Sequence, residues 1–362
     1  MANFDSLLRP NLQGARAYGA PSAAGKLGLN VNENPYSLSK NQRERLLSAL
    51  SVALTAINRY PDRELWSLRD SLASYASESR PSAHFSPQQV WAANGSNEIL
   101  MQVLQAFGGP EKNVLGFGPT YSMHSTIAQI TQTGWINGGL EAGFQLGTDH
   151  VLAQIREFRP EIVLLCAPNN PTGTPISLDT IRLAYEETQG LVLVDEAYVE
   201  FRPPGTPTAA ELLPGRERLL IARTLSKAFS FAGGRVGYLL ADQAAIEALQ
   251  LVRLPYHLSS LTQAAAVAAL EERVEILKTV EKICFQRERL LAELPELGYS
   301  ALYSEANFVL FGGIEDSSKL FNDLFDHGIV VRDVGISNHL RVTAGTESET
   351  TSFLETLAKL KK

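Results

Sequence analysis

Three short clusters of chemically active residues follow apolar runs in the middle of this 362-residue chain. Asn169, Asn170 and Thr172 come after the run at 162–166, and Asp195, Glu196 and Tyr198 after the run at 191–194. Ser226 and Lys227 follow the run at 219–222, with Gly233-Gly234-Arg235 a few residues further on. A lysine beside a buried strand is costly unless it has a partner or a task. On its own, a Ser-Lys pair would read as a surface turn. It is not alone, because groups at the carboxyl ends of parallel strands share one crevice, which is where open α/β sheets bind ligands. Pyridoxal phosphate is the chemistry that uses a lysine, a carboxylate, an amide, a phenol and a phosphate cradle together. It needs an amine for its aldehyde, an acid for its pyridine nitrogen and donors for its phenolic oxygen.

The elements that must position these groups are legible as alternation. The runs at 90–93, 114–117, 162–166, 191–194, 219–222 and 236–240 are apolar on both faces, as strands covered by helices on both sides are. The segments 97–107 and 178–188 between them are long enough for helices. This predicts an α/β fold, a mostly parallel sheet sandwiched by helices. From 262 to 294 the apolar residues keep helical spacing, with no glycine or proline until Pro295. Strands at 308–311 and 329–332 around a helix at 317–326 then form a smaller α+β unit. The expected division is a large cofactor-binding domain at 28–250. Residues 1–27 and 251–362 make an N-terminal arm and a small C-terminal domain.

Composition removes other classes. Lys and Arg number 32 against 39 Asp and Glu, a net charge of −7, which argues against nucleic acid as a partner. Cys166 and Cys284 stand far apart with no CxxC, and the six histidines are scattered, so neither a disulfide framework nor a metal site is expected. No run of about 20 apolar residues predicts a membrane helix. The opening residues lack a secretory pattern, so a cytoplasmic location is expected. No GxGxxG follows the first strand, which disfavours a nicotinamide dehydrogenase. Ser226 lacks the GxSxG elbow of a serine hydrolase.

Eight motifs then fall in order: NENP (32–35), RYPD (59–62), GSNE (95–98), PTYSMH (119–124), NNPTG (169–173), DEAY (195–198), SKAF (226–229) and LRVTAG (340–345). With them the chain resembles fold-type-I pyridoxal-phosphate aminotransferases across nearly its whole length, and histidinol-phosphate aminotransferases in particular. The resemblance implies that Lys227 bonds the cofactor and moves the substrate's proton, while Asp195 pairs with the pyridinium nitrogen. Asn170 and Tyr198 would donate to the phenolic oxygen, and Tyr121 would stack on the ring. Ser96, Asn97, Ser226 and Arg235 would hold the phosphate, the first two at a helix start where N–H groups favour anions. It further implies a homodimer in which Tyr60 reaches the neighbouring subunit's cofactor phosphate.

For the substrate, Arg341 matches the arginine that grips an anion, with Arg332 and Tyr18 as the added phosphate ligands of the histidinol-phosphate branch. The expected reaction is reversible amino transfer between L-histidinol phosphate and 2-oxoglutarate, with glutamate as product, in histidine biosynthesis. An aromatic amino-acid aminotransferase is the nearest alternative, sharing every cofactor residue. A related phosphate-substrate decarboxylase and a cofactor-sensing regulator are further ones, and the regulator would need a DNA-binding segment. Asn32 and Glu33 belong to a motif near the site entrance, with no role assigned beyond a turn or cap.

Overall fold

In a strand covered on both faces, alternate residues must enter two different cores. The computed structural model, which describes residues 4–15, 17, 19, 21–78 and 84–361, shows this directly. In β5 (Ile162–Cys166), Val163 and Leu165 join one buried cluster, and Ile162 and Leu164 join another. The same division runs through β6 (Leu191–Asp195) and β7 (Leu219–Thr224). These three lie in a seven-stranded sheet with β2 (Val90–Ala93), β3 (Asn113–Gly116), β4 (Gly134–Asn137) and β8 (Gly237–Leu240), in the order β2-β8-β7-β6-β5-β3-β4. β8 runs antiparallel to both its neighbours, and the other pairs are parallel.

One layer over the sheet contains α3 (Ser96–Phe107) and α4 (Ser122–Ile130), with α7 (Gln243–Leu249) beside them, and their apolar residues fill the second cluster. The opposite layer contains α2 (Trp66–Glu78), α5 (Thr148–Phe158) and α6 (Leu178–Glu187). Two expectations are corrected here. β4 gave no signal, because its Gly134-Trp135-Ile136-Asn137 is a partly exposed edge strand with a glycine and an asparagine at its ends. The single helix over 262–294 is two, α8 (Ser260–Glu271) and α9 (Arg273–Glu296), which break at Glu272 with no glycine or proline to mark it. Pro295 lies inside the last turn of α9 rather than stopping it earlier.

The second sheet joins β9 (Ser300–Ala301), β10 (Phe308–Gly312) and β12 (Leu340–Thr343), antiparallel in the order β12-β10-β9. A separate parallel pair joins β1 (Leu27–Gly28) to β11 (Ile329–Val330). The chain just after β1 stays against the second sheet, since Thr343 N–H donates to Leu29 O at 2.9 Å. Around these lie α10 (Ser317–Asp326) and α11 (Glu347–Leu360), while α1 (Lys40–Leu54) packs on α8. Residues 29–32 therefore run as a strap between the two sheets, over the carboxyl ends of β5, β6 and β7. Among the described residues, no helix is long and apolar enough to cross a membrane.

Candidate active site

The parallel register brings the strand ends level. Cys166 is opposite Asp195, and Asp195 is opposite Ala222. Asn170, Asp195 and Lys227 thus meet at one edge of the sheet, in a cavity of ≈ 320 Å³. Ser96, Asn97, Tyr121, Tyr198 and Ser226 line it too, as do Arg235, Arg332 and Arg341. That volume is in the range of small-ligand pockets.

At its centre, Lys227 Nζ donates to Val31 O on the strap at 2.9 Å. Burial, with Arg341 and Arg235 nearby and Glu33 opposing them, pushes its amine down to about 8. Asp195, 2% exposed, forms the floor. His124 Nε2 donates to Asp195 Oδ2 at 3.0 Å, and Ala197 N–H donates to Oδ1 at 3.2 Å, so both carboxylate oxygens are held. His124 stands three residues after Tyr121 on α4, whose ring meets it edge-on with centroids 5.4 Å apart. Cys166 also approaches, with its ligand atom and those of His124 and Asp195 within 4.8 Å of one another. Burial pushes that thiol well up, which keeps it a protonated neighbour.

On the strap side, Asn170 Nδ2 donates to Tyr198 Oη at 3.2 Å, while its Oδ1 accepts from Arg341 Nη1 at 2.5 Å. Arg341 Nη2 donates to Asn30 O at 2.7 Å, and Cζ sits 5.0 Å over the Phe308 ring. Burial pushes the Tyr198 phenol up. Arg332 lies directly opposite Arg341 across an antiparallel bridge, so both guanidinium groups leave the same face into the cavity.

At the other end, α3 begins at Ser96 behind Gly95, whose φ of 88° favours glycine. A Cβ on Gly95 would lie 2.6 Å from Arg235 Nη2, and one on Gly237 would strike the backbone of Ser96. Glycine is thus required for β8 and Arg235 to close on the helix start. Arg235 Nη1 donates to Ser226 Oγ at 3.4 Å. The result is a basic, hydroxyl-lined concavity at a helix N-terminus, which suits a phosphate. With a buried carboxylate on the floor, a lysine of lowered pKa and phenol and amide donors, the residue set fits pyridoxal phosphate.

One expected residue, Tyr60, is not in this cavity. Tyr60 is 80% exposed and stacked on Tyr256, with centroids 4.4 Å apart. Tyr18 lies outside the described residues. Conversely, sequence reasoning gave no role to His124 or Asn32. The i, i+3 spacing of Tyr121 and His124 was the available signal for the first. Asn32, 2% exposed, donates through Nδ2 to Tyr198 Oη at 2.9 Å, a contact made 166 residues apart that no local pattern announces.

Comparison with known proteins agrees with this geometry. Residues 24–357 match the family described as aminotransferase class I and II. The chain is 49% identical over 356 residues to the histidinol-phosphate aminotransferase of Paenarthrobacter aurescens (strain TC1), covering 98% of this chain and 94% of that one. It is 46% identical to that of Corynebacterium glutamicum (strain R), covering 99% and 97%. The histidinol-phosphate aminotransferase of Sinorhizobium meliloti, solved in complex with pyridoxal-5′-phosphate, shares the fold at a TM-score of 0.87 and 22% identity, over 98% of both chains. The chain belongs to the class I and II aminotransferases, and is a pyridoxal-phosphate-dependent transaminase. Within that family, its full-length similarity is to the histidinol-phosphate aminotransferases.

Proposed function

We propose that this protein transfers the amino group between L-histidinol phosphate and 2-oxoglutarate in histidine biosynthesis, as a cytoplasmic homodimer. The observation that carries the substrate assignment is the Arg332–Arg341 pair, two guanidinium groups on one face of a β-bridge beside Lys227. A phosphate dianion takes more than one donor, and guanidinium suits it. Both substrates present a distal anion, which the same pair accepts in turn, and Tyr18 is the added phosphate ligand that the resemblance implies.

Bound pyridoxal phosphate supplies an aldehyde that takes up the amino group and a ring that stores the electron pair left at the substrate carbon. Lys227, neutral in good part near pH 8, would be the amine that holds that aldehyde and, when free, the base that lifts and returns the substrate's proton. Asp195, oriented by His124, would hold the ring nitrogen in its protonated form. Asn170 and Tyr198 would donate to the phenolic oxygen, and Tyr121 would hold the ring by an aromatic contact. Ser96, Asn97, Ser226 and Arg235 hold the phosphate, joined by Tyr60 from the second subunit. We assign 28–250 to the cofactor domain, and 1–27 with 251–362 to the arm and small domain.

The test is a spectrum. Adding L-histidinol phosphate to the holoprotein should convert the yellow cofactor band to the near-ultraviolet amine form, and 2-oxoglutarate should restore it. Phenylalanine should do so only at much higher concentration. No bleaching with histidinol phosphate would reject the assignment, and equal bleaching by phenylalanine would favour the aromatic amino-acid alternative.

A further inference from the structure

Tyr198 Oη receives two N–H groups, Asn32 Nδ2 at 2.9 Å and Asn170 Nδ2 at 3.2 Å. A phenol oxygen carries one hydrogen and accepts through its lone pairs. With both amides on the accepting side, the hydrogen must leave in another direction. Among the described residues nothing accepts it, and Tyr198 lines the cavity, so it points there.

The direction depends on which end of the Asn32 amide faces the phenol, and the structure settles that. Asn32 N–H donates to Thr343 Oγ1 at 3.1 Å, so that oxygen turns its own hydrogen to Asn32 Oδ1, also at 3.1 Å. The amide oxygen is thereby fixed on Thr343 and the nitrogen on Tyr198. Asn32 O is held in turn by Asn307 Nδ2 at 3.0 Å. The backbone at Asn32 has φ 56°, a left-handed conformation that asparagine and aspartate tolerate better than most residues. Residue type, backbone and partners all serve one orientation.

We propose that Asn32, pinned by Thr343, is a positioning residue that compels Tyr198 to spend its hydrogen on the cofactor's phenolic oxygen rather than accept one there. The proposal rests on the reading that pyridoxal phosphate occupies the cavity. Donation to that oxygen drains negative charge from the partner of the protonated lysine–cofactor linkage, which then releases its proton at lower pH. Asn32 thus tunes, through Tyr198, the pH at which the linkage becomes reactive.

The isosteric change Asn32→Asp keeps the backbone preference and the Thr343 contact but replaces the donor by an acceptor, which turns the Tyr198 hydrogen away from the cavity. The readout is the pH midpoint of the cofactor absorbance band in the holoprotein, free of substrate. Asn32→Asp should raise it by about one pH unit, in the direction of Tyr198→Phe, and should add little in a Tyr198→Phe background. Thr343→Val, which unpins the amide without altering residue 32, should give a smaller rise that likewise vanishes in that background. It supplies the same comparison should Asn32→Asp fail to fold. Equal shifts with and without the Tyr198 hydroxyl, or no shift in either variant, would overturn the role of Asn32 while leaving the cofactor assignment intact. A wild-type protein with no pH-dependent cofactor band would overturn both.

Discussion

At the scale of single residues, the property that matters most is the state of one amine. Lys227 is an ordinary lysine by sequence, and an exposed lysine would be almost wholly protonated at pH 8. Burial, then the cations Arg341 and Arg235, bring it down to about 8. The sign follows directly: a depressed lysine loses its proton earlier, so the nucleophilic form is populated about two pH units sooner than in an exposed side chain. The rate at which the cofactor-free protein captures pyridoxal phosphate should therefore rise with pH up to about 8 and level off. A rate still climbing tenfold per pH unit at 9.5 would show that the amine is not held down. Lys227, Asp195 and Asn170 were legible in the sequence because chemistry restricts which residues can stand there. Asn32 and His124 were not, because a positioning contact is defined by distance in space rather than by residue type.

At the scale of elements, the central strands were legible because burial on both faces demands uninterrupted apolar runs. β4 and the α8–α9 break escaped because an edge strand and a one-residue helix boundary carry no such demand. The turn after β6 hides a further property. Glu196 accepts from Arg223 Nε at 2.9 Å and Nη2 at 2.7 Å, a buried pair linking the turn to β7. Glu200, one short helical turn on, accepts from the Tyr75 hydroxyl through Oε1 at 3.1 Å but has no ion pair of that kind among the described residues. Burial outweighs the pull of Arg223 and pushes its carboxyl up to about 7. A carboxyl raised in the folded state keeps a proton that the unfolded chain releases. Stability therefore falls as pH rises from about 4.5 towards 7, and the loss persists above that. Glu200→Gln keeps an acceptor for Tyr75 and removes the titration. It should raise the melting temperature at pH 8 by a few degrees and leave it nearly unchanged at pH 4.5. An equal change at both pH values would refute the linkage.

At the scale of the whole molecule, the segment after α7 is turned the wrong way for a free surface. Arg253 points inward, its Nη2 on Glu64 Oε1 at 2.9 Å and its Cζ 5.2 Å over the Trp91 ring. Leu251 and Leu254 on either side are 86% and 74% exposed. Exposed leucines beside a sequestered arginine call for a covering surface, and the proposed homodimer would supply one. Tyr60, stacked on Tyr256 just past these leucines, is carried on the same surface and is turned away from its own chain's cavity. If it completes the phosphate site of the second subunit, Tyr60→Phe should weaken cofactor binding by roughly tenfold, about the worth of one hydrogen bond to a charged group. Co-expression with a Lys227→Ala chain then separates the two geometries. In a mixed dimer, one site takes its lysine from the Tyr60→Phe chain and its tyrosine from the Lys227→Ala chain, and so regains the full donor set. At limiting pyridoxal phosphate, the mixture should be more active than the two variants measured apart. A tyrosine serving its own subunit would gain nothing from mixing, because every active lysine would still sit with a Tyr60→Phe substitution.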